Sequence, residues 1–204
     1  MEFADVVRRR RMVRRYDPDR PIEAATVAEL LRLAARAPSA GFSQGWHFLV
    51  LSTPTERDRF WAVTSPADAP LDAWSTGMRT APVLVLALSD KDAYLDRYAE
   101  PDKGWTDRDE ARWPVPYWDI DTGMASLLVL LGAVDRGLAG CFFGVPPEFA
   151  EATRAAFGIP SRLRFVGVIS LGYAAPDRRS PSLRRGRRDV GDIVSYGRFG
   201  QAEL

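Results

Sequence analysis

Apolar positions along the chain recur at helical spacing, gather into short unbroken runs, and return to helical spacing. Residues 23–37, EAATVAELLRLAARA, put Val27, Leu30, Leu31 and Ala34 on one helical face. Glu2–Arg11 reads as a shorter helix with Phe3, Val6 and Val7 inward, and Asp17-Pro18-Asp19 as a turn. Residues 54–62 predict a short helix, Pro66–Trp74 a loop, and Pro147–Phe157 another helix. Residues 119–137, DIDTGMASLLVLLGAVDRG, are the most apolar helical stretch and predict a central helix. Three runs predict strands: WHFLVLS at 46–52, PVLVLAL at 82–88 and RFVGVISLGY at 164–173. The second has no polar position, as expected of a strand covered on both faces. Gly137 and Gly140 lead into CFFGV. Residues 91–118 mix polar and aromatic residues without a period and predict an irregular insertion. From Ala174 the tail is Arg-rich and then aromatic. Strands and helices alternate, with no linker between two cores and no repeat, so 1–204 is expected to form one α+β or α/β sandwich domain.

Composition changes this picture little. The 204 residues are 46% hydrophobic and 27% charged, ordinary for a globular chain with a proper core. A formal net charge of +1 gives no whole-molecule field for nucleic acid or an acidic membrane. The charge is unevenly placed, however. Arg8–Arg11, Arg14 and Arg15 crowd one end, and Arg178, Arg179, Arg184, Arg185, Arg187 and Arg188 the other. One cysteine, Cys141, and one histidine, His47, allow no internal disulfide and too few ligands for a Cys/His metal site. Cys141 lies in an apolar run and reads as an inert thiol, although a Cys–His nucleophile pair is formally open. No apolar leader precedes the first arginines and no apolar run approaches ~18 residues, so neither a signal peptide nor a membrane span is expected. The expected compartment is a reducing cytoplasm. GxGxxG, GxxxxGK[ST] and GxSxG are all absent.

Two stretches carry candidate chemistry. RRRRMVRRYD, residues 8–17, is either a solvated basic helix end, a nucleic-acid patch, or a phosphate site. If the chain leaves its helix near Arg11 and becomes extended, Val13 and Tyr16 face the core while Arg10, Arg11 and Arg14 share one side. Paired guanidinium forks suit a phosphate. APSAGFSQGWHFLVL, residues 37–51, interleaves small residues, a hydroxyl and an amide with Phe42 and Trp46. Such a loop is either a helix-to-strand connection or a surface that a flat ligand approaches.

Taken in order, RRRRMVRRYD, APSAGFSQGW, DIDTGMA, GLAGCFFG, VISLGY and RRGRRDVGDIV resemble the FMN-dependent nitroreductase family over nearly the whole chain. The resemblance implies a three-layer α/β/α sandwich with a mixed central sheet, in an intertwined homodimer with two FMN sites at the interface. It implies ping-pong hydride transfer from NAD(P)H through flavin N5 to a planar acceptor, which needs no catalytic acid or nucleophile because the cofactor carries the chemistry. Carried over by residue, Arg10 and Arg11 match the phosphate-binding pair, and Arg14 the basic residue near flavin N1 and O2. Pro38, Ser39 and Ala40 match the loop that reaches the partner's flavin, anchored to the sheet by Gln44 with Trp46. Phe142, Phe143 and Gly144 match the segment by the flavin face, and Arg185 and Arg187 the pair closing on the phosphate. Met12 stands where the family usually has a Ser that can bond the phosphate, Phe42 where Asn is common and Gly45 where Pro is common. Phe42 is thereby also a candidate to pack on the ring or at its entrance.

Trp105, Trp113, Tyr117 and Trp118, in a proline-bearing segment, are either aromatics tucked onto the core or a stiffened lid that holds a planar acceptor. Two other functions stay open. One keeps the fold with a specialised flavin reaction, as in 5,6-dimethylbenzimidazole synthase, dehalogenases or biosynthetic dehydrogenases. The other is a non-catalytic flavin- or nucleic-acid-binding protein. The expected partners are a second copy of the chain and a small planar acceptor, with no metal, nucleic acid or membrane.

Overall fold

The computed structural model describes residues 1–65, 70–177 and 180–201. Among these residues four strands form one sheet: β1 (Trp46–Leu51), β2 (Val83–Asp90), β3 (Ala139–Phe143) and β4 (Leu163–Gly172), in the order β1-β2-β4-β3. Every pairing between these strands is antiparallel. The mixed character expected of the sheet narrows to one parallel bridge, Met12–Gly140, where the N-terminal segment meets β3. An all-apolar strand signals cover on both faces, and either strand direction meets that condition.

That cover is present. Leu84, Leu86 and Leu88 of β2 join a core with Phe60, Trp61, Met78 and Tyr16 on one face. Val83 and Val85 join Val27, Leu30, Ala125 and Val129 on the other. Among the described residues, seven α-helices make the outer layers: α1 (Phe3–Arg9), α2 (Ala24–Ala34), α3 (Pro54–Val63), α4 (Ala73–Met78), α5 (Lys91–Tyr98), α6 (Tyr117–Asp135) and α7 (Ala150–Phe157). The result is the expected three-layer sandwich. Each fully buried Leu contributes roughly 1.5–3 kcal/mol, so β2 and its two covers supply much of the driving force.

Local chemistry sets the helix ends. Thr53 and Glu56 form a capping box around α3, with Pro54 in its first turn. Asp72 caps α4 and Asp90 caps α5 by accepting backbone N–H groups. α6 is long and apolar enough to cross a membrane by length and composition, yet half of it is buried inside the fold, where it packs on α2 and the sheet.

Three expectations change. The irregular insertion shrinks, because 91–98 is helix α5 and Tyr117 and Trp118 open α6. α5 escaped the periodicity because it buries only Tyr94 and Leu95 and is held instead by its cap and its polar contacts. The expected loop at Pro66–Trp74 gives way to α4 at Ala73, while 66–69 lie outside the described residues, as do Arg178, Arg179 and 202–204. Of the three inward positions on α1 only Val6 is buried, and Phe3 and Val7 are exposed.

Candidate functional site

The N-terminal arginines sit where the sequence pattern asks. α1 ends at Arg9, and the backbone of the next residue, Arg10, is already extended at ψ 121°. The chain then runs along the β3 edge, with the Val13 N–H donating to the Gly140 carbonyl at 3.1 Å. Val13 and Tyr16 are buried. The Tyr16 hydroxyl donates to the Val13 carbonyl at 2.7 Å and lies 2.7 Å from Ser170 Oγ. Burial pushes the Tyr16 phenol above its ordinary pKa, so it stays a neutral anchor. The side chains around these anchors are left at the surface. Arg10, Arg11, Met12 and Arg14 line a cavity of about 500 Å³ with Arg8, Asp177, Ser180, Ser182, Leu183 and Arg187. That size is typical of small-molecule pockets.

Arg187 reaches this cavity because the turn Pro181–Arg185 is followed by Gly186 at φ 70°, a left-handed conformation that glycine adopts without strain. Arg185 does not line it. Among the described residues, Arg10, Arg11, Arg14 and Arg187 make no ion pair, whereas Arg97, Arg108, Arg112, Arg136, Arg154, Arg162 and Arg164 all do. Five guanidiniums around one cavity, four of them in no ion pair among the described residues, form an anion site.

Met12 closes one wall, and its Sδ accepts the Phe142 N–H at 3.4 Å. Phe142 and Phe143 point to opposite sheet faces. Phe142 lies over Gly167, where a Cβ would come within 2.2 Å of its ring. Phe143 stacks on Trp61 at 5.8 Å and 7°, with Phe60 and Trp74 edge-on. Gly144 is exposed, and a Cβ there would meet no atom of this chain.

The loop at 38–45 is built quite differently. The buried carboxylate of Asp121 on α6 accepts the Ala40 N–H at 2.9 Å and the Tyr94 hydroxyl at 2.8 Å on one oxygen. Burial, with that bond to Asp121, raises the Tyr94 pKa. Arg97 Nε donates to the Gly41 carbonyl at 3.0 Å, and Ser39 Oγ accepts the Gln44 N–H at 3.0 Å. Thus the loop is anchored by Asp121, Tyr94 and Arg97. The Gln44 side chain, expected as an anchor, reaches only the Phe42 carbonyl at 3.5 Å and is exposed. The tether was legible in one respect: Asp121 is an acid on the inner face of the most apolar helix, and such an acid needs partners. Phe42 and Gln44 hold left-handed φ values of 57° and 51°, and Phe42 is 73% exposed. Pro38, Ser39, Ala40, Phe42 and Gln44 are absent from the basic cavity of their own chain.

Trp105, Trp113, Tyr117 and Trp118 come together, but over α5. Trp113 packs against Tyr98 at 4.6 Å, Trp105 at 5.4 Å, Tyr117 at 5.7 Å and Trp118 at 5.9 Å, centroid to centroid. Trp118 is 2% exposed, and none of the four lines the basic cavity. Tyr94 joins the same group, so the aromatics buttress the residue that holds the loop.

The model of the nitroreductase family matches residues 7–173. The chain belongs to the nitroreductase family. This is a family of FMN-dependent NAD(P)H oxidoreductases, and the chain takes its place among them. Its relatives include a 4-nitrobenzoate reductase from a Nocardioides species, 29% identical over 95% of this chain and 89% of that protein. An NADH dehydrogenase from Thermus thermophilus is 28% identical over 86% of this chain and 90% of that one. Among solved structures, a nitroreductase family protein from Clostridium difficile superposes with a TM-score of 0.69 at 24% identity, covering 97% and 99% of the two chains. A protein described as a nitroreductase, from Exiguobacterium sibiricum and in complex with FMN, gives 0.66 at 21% identity over 93% and 98%. For this nitroreductase-family chain the last two establish the fold.

Proposed function

We propose that the protein is a homodimeric oxidoreductase that takes hydride from NAD(P)H and delivers it by a ping-pong route to a planar acceptor, a nitroaromatic, quinone or enone. The observation that carries this reading is the cavity in which Arg10, Arg11, Arg14 and Arg187 make no ion pair within the described residues, while Arg8 at its edge pairs with Asp5. The residues fit FMN: Arg10, Arg11 and Arg187 suit a terminal phosphate dianion, and no dinucleotide loop is present for a longer cofactor. Bound FMN supplies the hydride-accepting and hydride-donating chemistry.

The chain's own residues do the rest. Arg10, Arg11 and Arg187 hold the phosphate, and Arg185 in the neighbouring turn adds positive field. Arg14 sets a fixed positive charge beside the pyrimidine edge, which favours the electron-rich reduced ring. Met12 shapes the wall, and the end of β3 that carries Phe142, Phe143 and Gly144 would run beside the ring, with both phenyl groups packed back onto the fold. Pro38, Ser39, Ala40, Phe42 and Gln44 approach the partner's site, and this gives the loop's left-handed, exposed Phe42 a purpose. The buried thiol of Cys141 suits the cytoplasm.

A second copy is supported by apolar surface left outside. On α6, Tyr117, Ile120 and Leu127 are 37%, 43% and 46% exposed, and Phe3, Val7, Leu183, Val190 and Ile193 are exposed as well. Light scattering should give twice the chain mass, and a stable FMN-loaded monomer would contradict this.

The test of the activity is the visible spectrum of the purified protein. A yellow protein that NADH or NADPH bleaches without oxygen, and that a nitroaromatic or quinone restores, is the expected result. A protein that takes up no flavin, or whose flavin NAD(P)H leaves oxidised, would overturn the proposal.

A further inference from the structure

We propose that Asp177 is a ligand-binding residue of the basic cavity, accepting hydrogen bonds from the hydroxyl groups of a polyol phosphate, the ribityl arm of FMN. The inference rests on the flavin reading above. The cavity is not purely basic: Asp177 lines it beside Arg10, Arg14 and Arg187, and is half-buried there. Its Oδ2 accepts the Arg14 backbone N–H at 3.0 Å, which fixes the carboxylate in place without engaging the Arg14 guanidinium.

A carboxylate in an anion site is unfavourable on its own, since it repels a phosphate. An ionised carboxyl is acceptor-only, so an anion offers it nothing, whereas a hydroxyl offers it a donor. Hydrogen bonds to a charged acceptor are among the stronger ones, enough to offset that repulsion. Ser180 and Ser182 line the same cavity and carry hydroxyls that both donate and accept. Guanidiniums with a fixed carboxylate and two hydroxyls match a phosphorylated polyol better than a bare phosphate.

Three flavins separate the parts of the site. FMN carries ring, ribityl chain and phosphate, riboflavin lacks the phosphate, and lumiflavin lacks both. Each is titrated by fluorescence quenching into flavin-free full-length protein, as wild type, Asp177→Ala, Asp177→Asn and Arg187→Ala. Asp177→Ala is expected to weaken FMN and riboflavin by the same factor, about tenfold, and to leave lumiflavin within about twofold. Arg187→Ala is expected to weaken FMN alone. Unchanged FMN and riboflavin binding in Asp177→Ala, equal weakening of all three flavins, or tighter binding of FMN alone would overturn the inference. If Asp177→Ala fails to fold by circular dichroism, Asp177→Asn decides, because it keeps an acceptor for the Arg14 N–H. A smaller shared loss for FMN and riboflavin supports the inference, and no loss overturns it. Wild-type protein that binds no FMN would remove the flavin reading and this inference together. Wild-type protein that binds FMN normally, beside an indifferent Asp177→Ala, removes this inference alone.

Discussion

The basic cavity and the 38–45 loop both gather charged groups, and they treat them in opposite ways. Asp121 is 2% exposed, and one oxygen of its carboxylate is held by the chain's own Ala40 N–H and Tyr94 hydroxyl. Arg10, Arg11, Arg14 and Arg187 stand open around a cavity, with no ion pair among the described residues. A buried charge must be satisfied within the fold or the fold fails. An exposed charge carries no such obligation and is free for a ligand. The first region is therefore structure that presents a loop, and the second is a site that awaits an anion. Substitutions in the first should cost stability, and in the second affinity.

The largest effect is expected at Asp121. Asp121→Ala leaves the Tyr94 hydroxyl and the Ala40 N–H without a partner, which costs roughly 2–4 kcal/mol of stability by urea unfolding. Asp121→Asn should recover about half of that. A loss below about 0.5 kcal/mol, the scale of a surface change, would contradict the tether.

Two glycines sharpen the contrast next. A Cβ at Gly45 would lie 2.6 Å from the Tyr94 ring and 2.7 Å from the Asp90 carbonyl, so Gly45→Ala should cost about 1–3 kcal/mol. Gly144 has open space, and Gly144→Ala should leave thermal stability within about 0.5 kcal/mol. Equal losses at the two positions would erase the distinction. At the cavity, Arg10→Ala and Arg187→Ala should each weaken FMN binding by roughly 1–3 kcal/mol. The flavin-free melting temperatures of both should match wild type, and destabilised apo proteins would make these arginines structural.

The smallest effect concerns Cys141. Burial raises its thiol pKa, so the fold holds it protonated. The contribution to stability is complete below the ordinary thiol range and is lost as pH rises through that range toward the folded value. Cys141→Ala should remove this alkaline slope and keep turnover within a few-fold, as measured by urea titrations from neutral to alkaline pH. Abolished turnover with flavin still bound would give the thiol a chemical role.

The sandwich was legible because its strongest signals are local and apolar: PVLVLAL became β2, and 119–137 became most of α6. The extended path of 10–16 was legible because Val13 and Tyr16 alternate with basic residues and both are buried. α5 was not legible, since a helix held by an Asp90 cap and a Tyr94–Asp121 bond carries no apolar period. Phe3 and Val7 were read inward from a pattern that records which side is apolar but not what covers it. The loop anchor was misread for a related reason. Gln44 lies within the loop itself, while Asp121 reaches Ala40 from 81 residues away. Asp177 carried no sequence signal, since an acid in an Arg-rich tail reads as a solvated one.

The cavity's role as a phosphate site is tested most directly by equilibrium titration of flavin-free protein with FMN and with riboflavin. The two ligands differ only in the phosphate. Open guanidiniums at Arg10, Arg11 and Arg187 predict that FMN binds one per chain and at least about tenfold more tightly than riboflavin, a preference that shrinks as salt rises. Equal affinities for FMN and riboflavin at low salt would contradict the account.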